Sequence, residues 1–531
     1  MIAVSNAWKE ANKKTLLPET FVEVTYTITE PGLQQEATAS ANYPESYSNV
    51  SQLTEIVDKE CGAYTSLDYG AWGLDGGFSY FDGSPINPGY VDRNYSTSDG
   101  SMNVSPYPTI TITLSDKHNI LIPGLTITWS KTFSGWATSF RITAYDGSTV
   151  VAQKTVTGNT AISTKVWVDI VSYSKITIEV LKWSHPYQRV RCSDIKLGIS
   201  KVYTKSDLLG FDHKQSVDLL SAVLPHSEIS FGLRNDDDRW NPDNPTGEEK
   251  YLLEQQEVVI RYGMNIDDVT EWVKGGTFWL SEWETPNNGL QANFTARDAI
   301  SFMSGKYTGT RSGSLYNIAL AAFSDANLPV MNNGNVRYVI DDSLKNFTTD
   351  FSEDTEEYSV AEILQMVAHA GCCVFYQDRD GVVHIEPWSD VYSNYKIDPM
   401  ISYSHPEYSV NKPLRTLNVE YGGEEPFGMT VAYVGEVQTV DNPLITNVNT
   451  ARDVAINTYK VLSNRKIISG EFRADMSLDA LDNITIDSKY ASSIVCVTDI
   501  TYSTTGGAFK GTYTGRVLSD TAITLVGGDE V

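Results

Sequence analysis

The residues with the most chemical potential in this chain are a run of acids. Asp236-Asp237-Asp238, followed by Asn241, Asp243 and Asn244, could ligate a hard cation through clustered oxygens. The spacing is not that of an EF-hand, whose twelfth position counted from Asp236 would fall on Gly247 rather than a glutamate. The competing reading is a solvated hairpin tip built on Asn-Pro turns. The histidines, His118, His185, His213, His226, His369, His384 and His405, show neither H-E-x-x-H nor H-x-H spacing. His369 falls near the end of an expected helix, where a helix-end or interface role suffices. The five cysteines, Cys61, Cys192, Cys372, Cys373 and Cys496, include no C-x-x-C pair. Their odd number and wide spacing read as reduced thiols in a chain folded in a cytoplasm. A nucleophile elbow and a phosphate-binding loop are both missing, and Gly506-Gly507 reads as a hairpin turn. The expectation is no catalytic residue, no metal and no cofactor.

Aromatic side chains offer a different chemistry. Trp72, Trp129, Trp136, Trp167, Trp183, Tyr145 and Tyr187 fall within one β-rich stretch. Aromatic faces can stack on sugar rings, with large contact area and a polar handle. Core packing is the competing reading, and Trp129 and Trp167, inside alternating strands, are assigned to the core. Trp136 lies in Phe133-Ser134-Gly135-Trp136-Ala137 and Trp183 in Lys182-Trp183-Ser184-His185-Pro186-Tyr187-Gln188-Arg189. Both segments read as connections, so Trp136, Trp183, Tyr187 and Arg189 are the candidate carbohydrate-binding residues.

A chain of 531 residues needs several cores, and three or four domains are expected. Its net charge of −27 argues against nucleic-acid binding and against docking on an anionic membrane. No run of about 18 apolar residues is present, so membrane insertion is not expected. The N-terminus, MIAVSNAWKEANKK, lacks the apolar centre of a signal peptide.

Period-two alternation dominates what must position these residues. Phe21–Thr29 alternates and is β-branched, and Pro31-Gly32 ends it. From Tyr64 to Ile199 short strands follow one another, among them 109–114, 125–129, 139–145 and 175–180. Their spacing indicates an antiparallel sandwich of roughly 130 residues. Further strands are expected at 257–263, 276–281, 290–296, 483–487, 494–498 and 512–517. Helices are expected only after residue 300. One covers Leu315–Phe323. A second runs from Ser359 to Gly371, with Ser359 and Glu362 as a capping box and Gly371 at C′. A third covers Ala451–Asn464 behind a Thr450 cap. The hairpin 373–385 turns at Asp380-Gly381 beside the second helix.

Three segments carry a resemblance. Ser227-Glu228-Ile229-Ser230-Phe231-Gly232-Leu233 runs into Asn235-Asp236-Asp237-Asp238-Arg239-Trp240-Asn241-Pro242. Gly275–Trp283 is followed by Phe294-Thr295-Ala296-Arg297-Asp298, and Ala368–Gln377 leads into Asp378-Arg379-Asp380-Gly381. Together they resemble the gp27-like baseplate or tail-tip hub proteins of tailed bacteriophages, as found at the start of tail-associated lysins. Tyr64–Asp68 with Trp72-Gly73-Leu74-Asp75-Gly76 looks like the opening of a carbohydrate-binding-like jelly roll inserted in such proteins. The resemblance implies a mainly β, multidomain chain with minor α+β content. Its parts would be a discontinuous hub β-barrel (1–59 and 200–305) and an inserted β-sandwich (60–199). An α+β helix-hairpin domain (306–400) and a C-terminal hub β-domain with one helix (401–531) would follow.

It further implies a homotrimeric ring in the virion, at the tail tip or baseplate, assembled in the bacterial cytoplasm. The partners implied are the distal tail protein, the tail tube or tape-measure protein, tip or fibre proteins, and a host cell-surface glycan. No lytic module follows the last β segment, so a cell-wall-degrading role is not expected. Two competing readings are a distal tail or receptor-binding adhesin and a glycoside hydrolase with an accessory binding module.

Overall fold

The computed structural model describes residues 2–14, 18–55, 61–62, 64–66, 68, 86–97, 101–267, 269–286, 289–326, 328, 336–353, 356–389, 391–489, 491–505 and 508–522. Trp72–Gly76 and Gly506-Gly507, singled out above, lie outside them. The chain is mostly β and divides into several sheets, as the alternation implies.

The first strand, Thr20–Ile28, buries Val22, Val24, Tyr26 and Ile28 on one face, the face its alternation marks. On one side it pairs with Glu257–Ile266, Val24 opposite Ile260. On the other it pairs with Ile199–Tyr203, Ile28 opposite Ile199. The chain therefore leaves this sheet and re-enters it at the same point, and everything between is an insertion.

The sheet has 13 strands. Its path runs Ile199–Tyr203, Thr20–Ile28, Glu257–Ile266, Val269–Glu284, Gln291–Arg297, His226–Arg234 and Leu208–Ser216, then Ala491–Thr505, Ala508–Ala522, Lys466–Arg473 and Glu407–Val410. Asn483–Asp487 pairs with Ala491–Thr505 and with Tyr392–Ile397. Leu208–Ser216 and Ala491–Thr505 join the two halves, His213 opposite Tyr502. Two expectations are corrected here. The path is open at Ile199–Tyr203 and at Glu407–Val410, so no closed hub barrel is formed among the described residues. The segment 401–531 is also not one packing unit. Its strands from Lys466 onward share the core of the N-terminal strands, including Val24, Tyr262, Phe472 and Tyr502. Its α5 helix, Val448–Leu462, buries Ala451, Val454 and Ala455 against the helical region instead.

The insertion is a sandwich. One sheet orders Thr38–Ala41, Thr109–His118, Tyr173–Trp183, Ala137–Asp146 and Thr149–Thr157. The other orders Tyr90–Tyr95, Arg189–Lys196, Ile122–Trp129 and Ser163–Ile170. Trp129, Phe140, Ile176, Ile178 and Trp183 meet between them. Leu33, Ala37 and Leu53 belong to the same core, and Thr38–Ala41 pairs with Thr109–His118. Residues 33–55 therefore pack with the sandwich and not with the hub strands expected for 1–59. The reason is the turn at Pro31-Gly32, where Gly32 takes a φ of 82° and redirects the chain. Side chains tie the sandwich to the large sheet. Tyr251 Oη donates to Asp169 Oδ1 at 2.8 Å, and His118 lies 3.0 Å from Glu30, just after the first strand of the large sheet.

The helical region holds α3, Leu315–Asp325, and α4, Val360–Ala370. Helix α4 has the expected capping box: Glu362 N donates to Ser359 Oγ and Ser359 N to Glu362 Oε2. Gly371 follows it, but with φ −89°, and Cys372 carries the positive φ of 57°. Gly371 is required by space instead, since a Cβ there would lie 2.0 Å from Leu344 Cδ2. The α5 cap is Asn447, whose side chain accepts from Thr450 N, so the cap falls three residues before the expected one. Two helices also precede residue 300: α1 at Asn6–Lys13 and the short α2 at Leu33–Glu36. Among the described residues no helix is long and apolar enough to cross a membrane.

Candidate functional site

The candidate aromatic site sits at one end of the sandwich, around the connection 184–188. A bulge decides which aromatics face outward. Along Tyr173–Trp183, Ile176, Ile178 and Val180 point inward with period two. Phe140 pairs with Val180 and Ser139 with Lys182, so Leu181 is one residue too many. The extra residue reverses the phase, and Trp183 falls inward. It is fully buried, edge-to-face with Trp129 at 6.1 Å, with Nε1 3.4 Å from Gln188 Oε1. Trp183 is thus a core residue inside a strand, which corrects its assignment to a surface connection. Gly135 is part of the same packing, because a Cβ there would lie 2.7 Å from the Trp183 ring.

Trp167 is corrected in the opposite direction. In Ser163–Ile170 the inward positions are Thr164 and Val166, so Trp167 points out and is 39% exposed. The Lys201 ammonium lies 5.3 Å from its ring and 5.6 Å from that of Trp240. Trp129 is buried, as assigned.

Trp136 is half-buried at the sandwich end. Its indole Nε1 donates to Asn159 O at 3.1 Å and its backbone N to Ser184 Oγ at 3.0 Å. The His185 ring stands edge-on to it at 5.6 Å, and His185 Nδ1 is 2.8 Å from Ser184 Oγ. Tyr187 is 53% exposed and takes a φ of 54°. Its N–H donates to Ser96 O at 3.2 Å, which fixes the turn and turns the phenol to solvent.

Arg189 is less available than a free guanidinium. Its Nη1 is 3.2 Å from Asp68 Oδ1 and its Nη2 3.2 Å from Glu45 Oε1, and the group lies 4.5 Å over the Tyr95 ring. Asp68 also accepts from Arg191 at 2.6 Å. Arg189 therefore ties Asp68, Glu45 and Tyr95 together, and its Nε is left without an acceptor. The outward groups the structure brings together here are Trp136, His185, Tyr187 and Tyr95. Tyr95 and His185 were missed because nothing in their spacing separates them from other loop residues.

At the acidic turn, Asp237 binds Arg239 through both carboxylate oxygens, and that pairing holds its carboxyl below the usual carboxylate range. Asn235 Oδ1 accepts from Trp240 N at 3.0 Å, and Trp240 is buried against Phe294. Asn241 Oδ1 accepts from Asp243 N at 3.1 Å. These oxygens are engaged in closing the turn. Among the described residues no group of three or more His, Cys, Asp or Glu is placed to hold a metal ion. All five cysteines are free thiols, and burial pushes Cys372 and Cys373 up to about 12.

No family model matches the chain, and no curated protein matches it. Among solved structures it is similar to the 43 kDa tail protein of prophage MuSo2 from Shewanella oneidensis. That similarity has 10% identity and a TM-score of 0.39 and covers 60% of this chain and 95% of that one. It is also similar to prophage tail protein gp18 from Listeria monocytogenes, with 10% identity and a TM-score of 0.36 over 59% of this chain and 91% of that one. A third similarity is to the family 32 CBM of C. perfringens NanJ, solved in complex with galactose. It has 15% identity and a TM-score of 0.19, over 34% of this chain and 99% of that one.

Proposed function

We propose that this chain is a non-enzymatic structural hub of a phage tail tip or baseplate. Copies of it form a ring, a homotrimer in this reading. The ring contacts the distal tail protein, tail tube or tape-measure protein on one side and tip or fibre proteins on the other. The observation that carries the proposal is a strip of exposed apolar side chains at the open end of the large sheet. Glu407–Val410 is the edge strand, and all four of its residues are exposed, Tyr408 and Val410 among them. The turn at 431–436, held to the following strand by hydrogen bonds from Val431 N to Arg415 O and from Glu436 N to Pro413 O, adds Tyr433, 100% exposed, and Val434, 77% exposed. The edge strand is short, but its unpaired backbone and exposed apolar side chains can still pair with another chain unless something covers them. The motifs at 227–242, 275–298 and 368–381 support the same reading.

Sedimentation tests it. The wild-type chain is expected to sediment above its 58.8 kDa monomer mass at tens of micromolar, and Tyr408→Lys with Tyr433→Lys at the monomer mass. Wild type sedimenting as a 58.8 kDa monomer at that concentration would overturn the ring.

The sandwich supports a second role, recognition of a host cell-surface glycan, which on its own would make the chain an adhesin. The half-buried indole of Trp136 beside His185, and the exposed phenol of Tyr187 two residues further along the same connection, favour it. On a glycan array, Trp136→Ala or Tyr187→Ala should each weaken binding of the full chain by about 1–2 kcal/mol. Unchanged binding in both would remove the site.

A further inference from the structure

We propose that the cavity between helix α1 and residues 395–401 is a binding site for an acidic peptide anchored by an apolar side chain. The cavity encloses about 710 Å³, within the range of built ligand sites. Five cations line it: Lys9, Lys13, Lys14, Lys396 and Arg473, against the two carboxylates of Asp398 and Asp475. That balance runs against a chain with 67 acidic and 40 basic residues.

Both carboxylates are already used. Asp475 accepts from Trp8 Nε1 at 3.2 Å and from Ser477 N and Oγ at 3.0 and 2.8 Å. Asp398 accepts from Met400 N at 2.8 Å. Three of the cations also have partners. Lys13 pairs with Glu10 at 2.8 Å, Lys396 with Asp487, and Arg473 donates to the carbonyls of Asn12 and Lys14. Lys9 and Lys14 have no carboxylate partner among the described residues. Asn12 Nδ2 is buried at the same wall with no acceptor. Helix-end electrostatics account for Lys13, in the last turn of α1, but not for Lys9 within the helix or Lys396 on another element.

The rest of the lining mixes apolar Ile2, Ala3, Ile401 and Met400, with Met400 74% exposed, with the polar side chains of Asn12, Tyr395 and Ser477. An extended peptide fits this combination. Its alternate side chains project to one face about 7 Å apart, so acidic and apolar residues can be presented to different walls. Its backbone carbonyls supply an acceptor for Asn12. A nucleic acid fits less well, because its affinity comes from many cations tracking a phosphate backbone over an open surface. Here the cations line a single partly open cavity that also presents Ile2, Ile401 and Met400.

The test uses the full chain and a fluorescein-labelled heptapeptide, acetyl-Glu-Leu-Asp-Ile-Glu-Leu-Asp, followed by anisotropy at about 50 mM salt. Wild type should bind it, and binding should weaken at about 500 mM salt. Lys9→Glu with Lys14→Glu should bind about tenfold more weakly or worse. Both side chains are exposed, so the melting temperature should not move. Met400→Asp should weaken binding as well, and the same peptide with Lys at every acidic position should not bind. The proposal is overturned if wild type does not bind the acidic heptapeptide. It is also overturned if the Lys9/Lys14 double variant binds like wild type, or if oligothymidylate binds as tightly as the peptide.

Discussion

Arg379→Met should destabilise the chain by about 3–5 kcal/mol, the cost of breaking a buried ion pair from one side. Arg379 is 5% exposed and sits in the hairpin beside α4, yet its guanidinium reaches across to the large sheet. Nε donates to Asp479 Oδ1 at 2.8 Å, Nη1 to the carbonyls of Lys274 at 2.7 Å and Met476 at 2.8 Å, and Nη2 to that of Leu478 at 2.8 Å. Methionine fills most of the space but leaves three carbonyls and a carboxylate without this donor set. At about 2–4 °C per kcal/mol for a unit of this size, the melting temperature should fall by roughly 10 °C. Arg379→Lys should recover only part of the loss, since an ammonium cannot reproduce the planar fork. A Met variant melting within about 2 °C of wild type would show that the contact is dispensable.

Arg379 also marks the limit of what the sequence makes legible. Asp378-Arg379-Asp380-Gly381 reads directly as a turn, and the structure explains why. Asp378 Oδ1 accepts from Asp380 N and Val382 N, both at 2.9 Å, and Gly381 takes a φ of 77°. Those are local bonds. The four that make Arg379 structural are to residues about a hundred positions away, and no spacing rule reports them. The same division holds elsewhere. Alternation marks Thr20–Ile28 and its buried face, and Ser359 with Glu362 marks the start of α4, because both depend on neighbours within a few residues. Helix α1 escapes notice because it buries only Trp8 and Ala11, too few to make an apolar stripe. The open ends of the large sheet, the join at Leu208–Ser216, and the packing of 33–55 with the sandwich are long-range facts. At the candidate site one residue of phase was decisive. Without the bulge at Leu181, Trp183 would have pointed outward, as its surroundings suggest.

That reversal makes Trp183→Ala the second large effect expected. The indole is fully buried between the two sandwich sheets, against Trp129 and over Gly135. Removing it leaves a cavity bounded by Trp129, which itself packs on Phe140 at 5.2 Å, and a loss of about 3–5 kcal/mol is expected. Trp183→Phe should lose less, because an aromatic ring still occupies the gap. Trp136→Ala should cost at most about 1–2 kcal/mol, as its ring is only half-buried and its one indole hydrogen bond is only part-buried. The pair separates packing from recognition. Any glycan affinity lost in Trp183→Ala should return in full on cooling below the lowered sandwich melting transition. A loss in Trp136→Ala should persist at every temperature below a melting transition lowered by only a few degrees. If calorimetry finds Trp183→Ala within about 1 kcal/mol of wild type, the indole is not the central packing element of the sandwich.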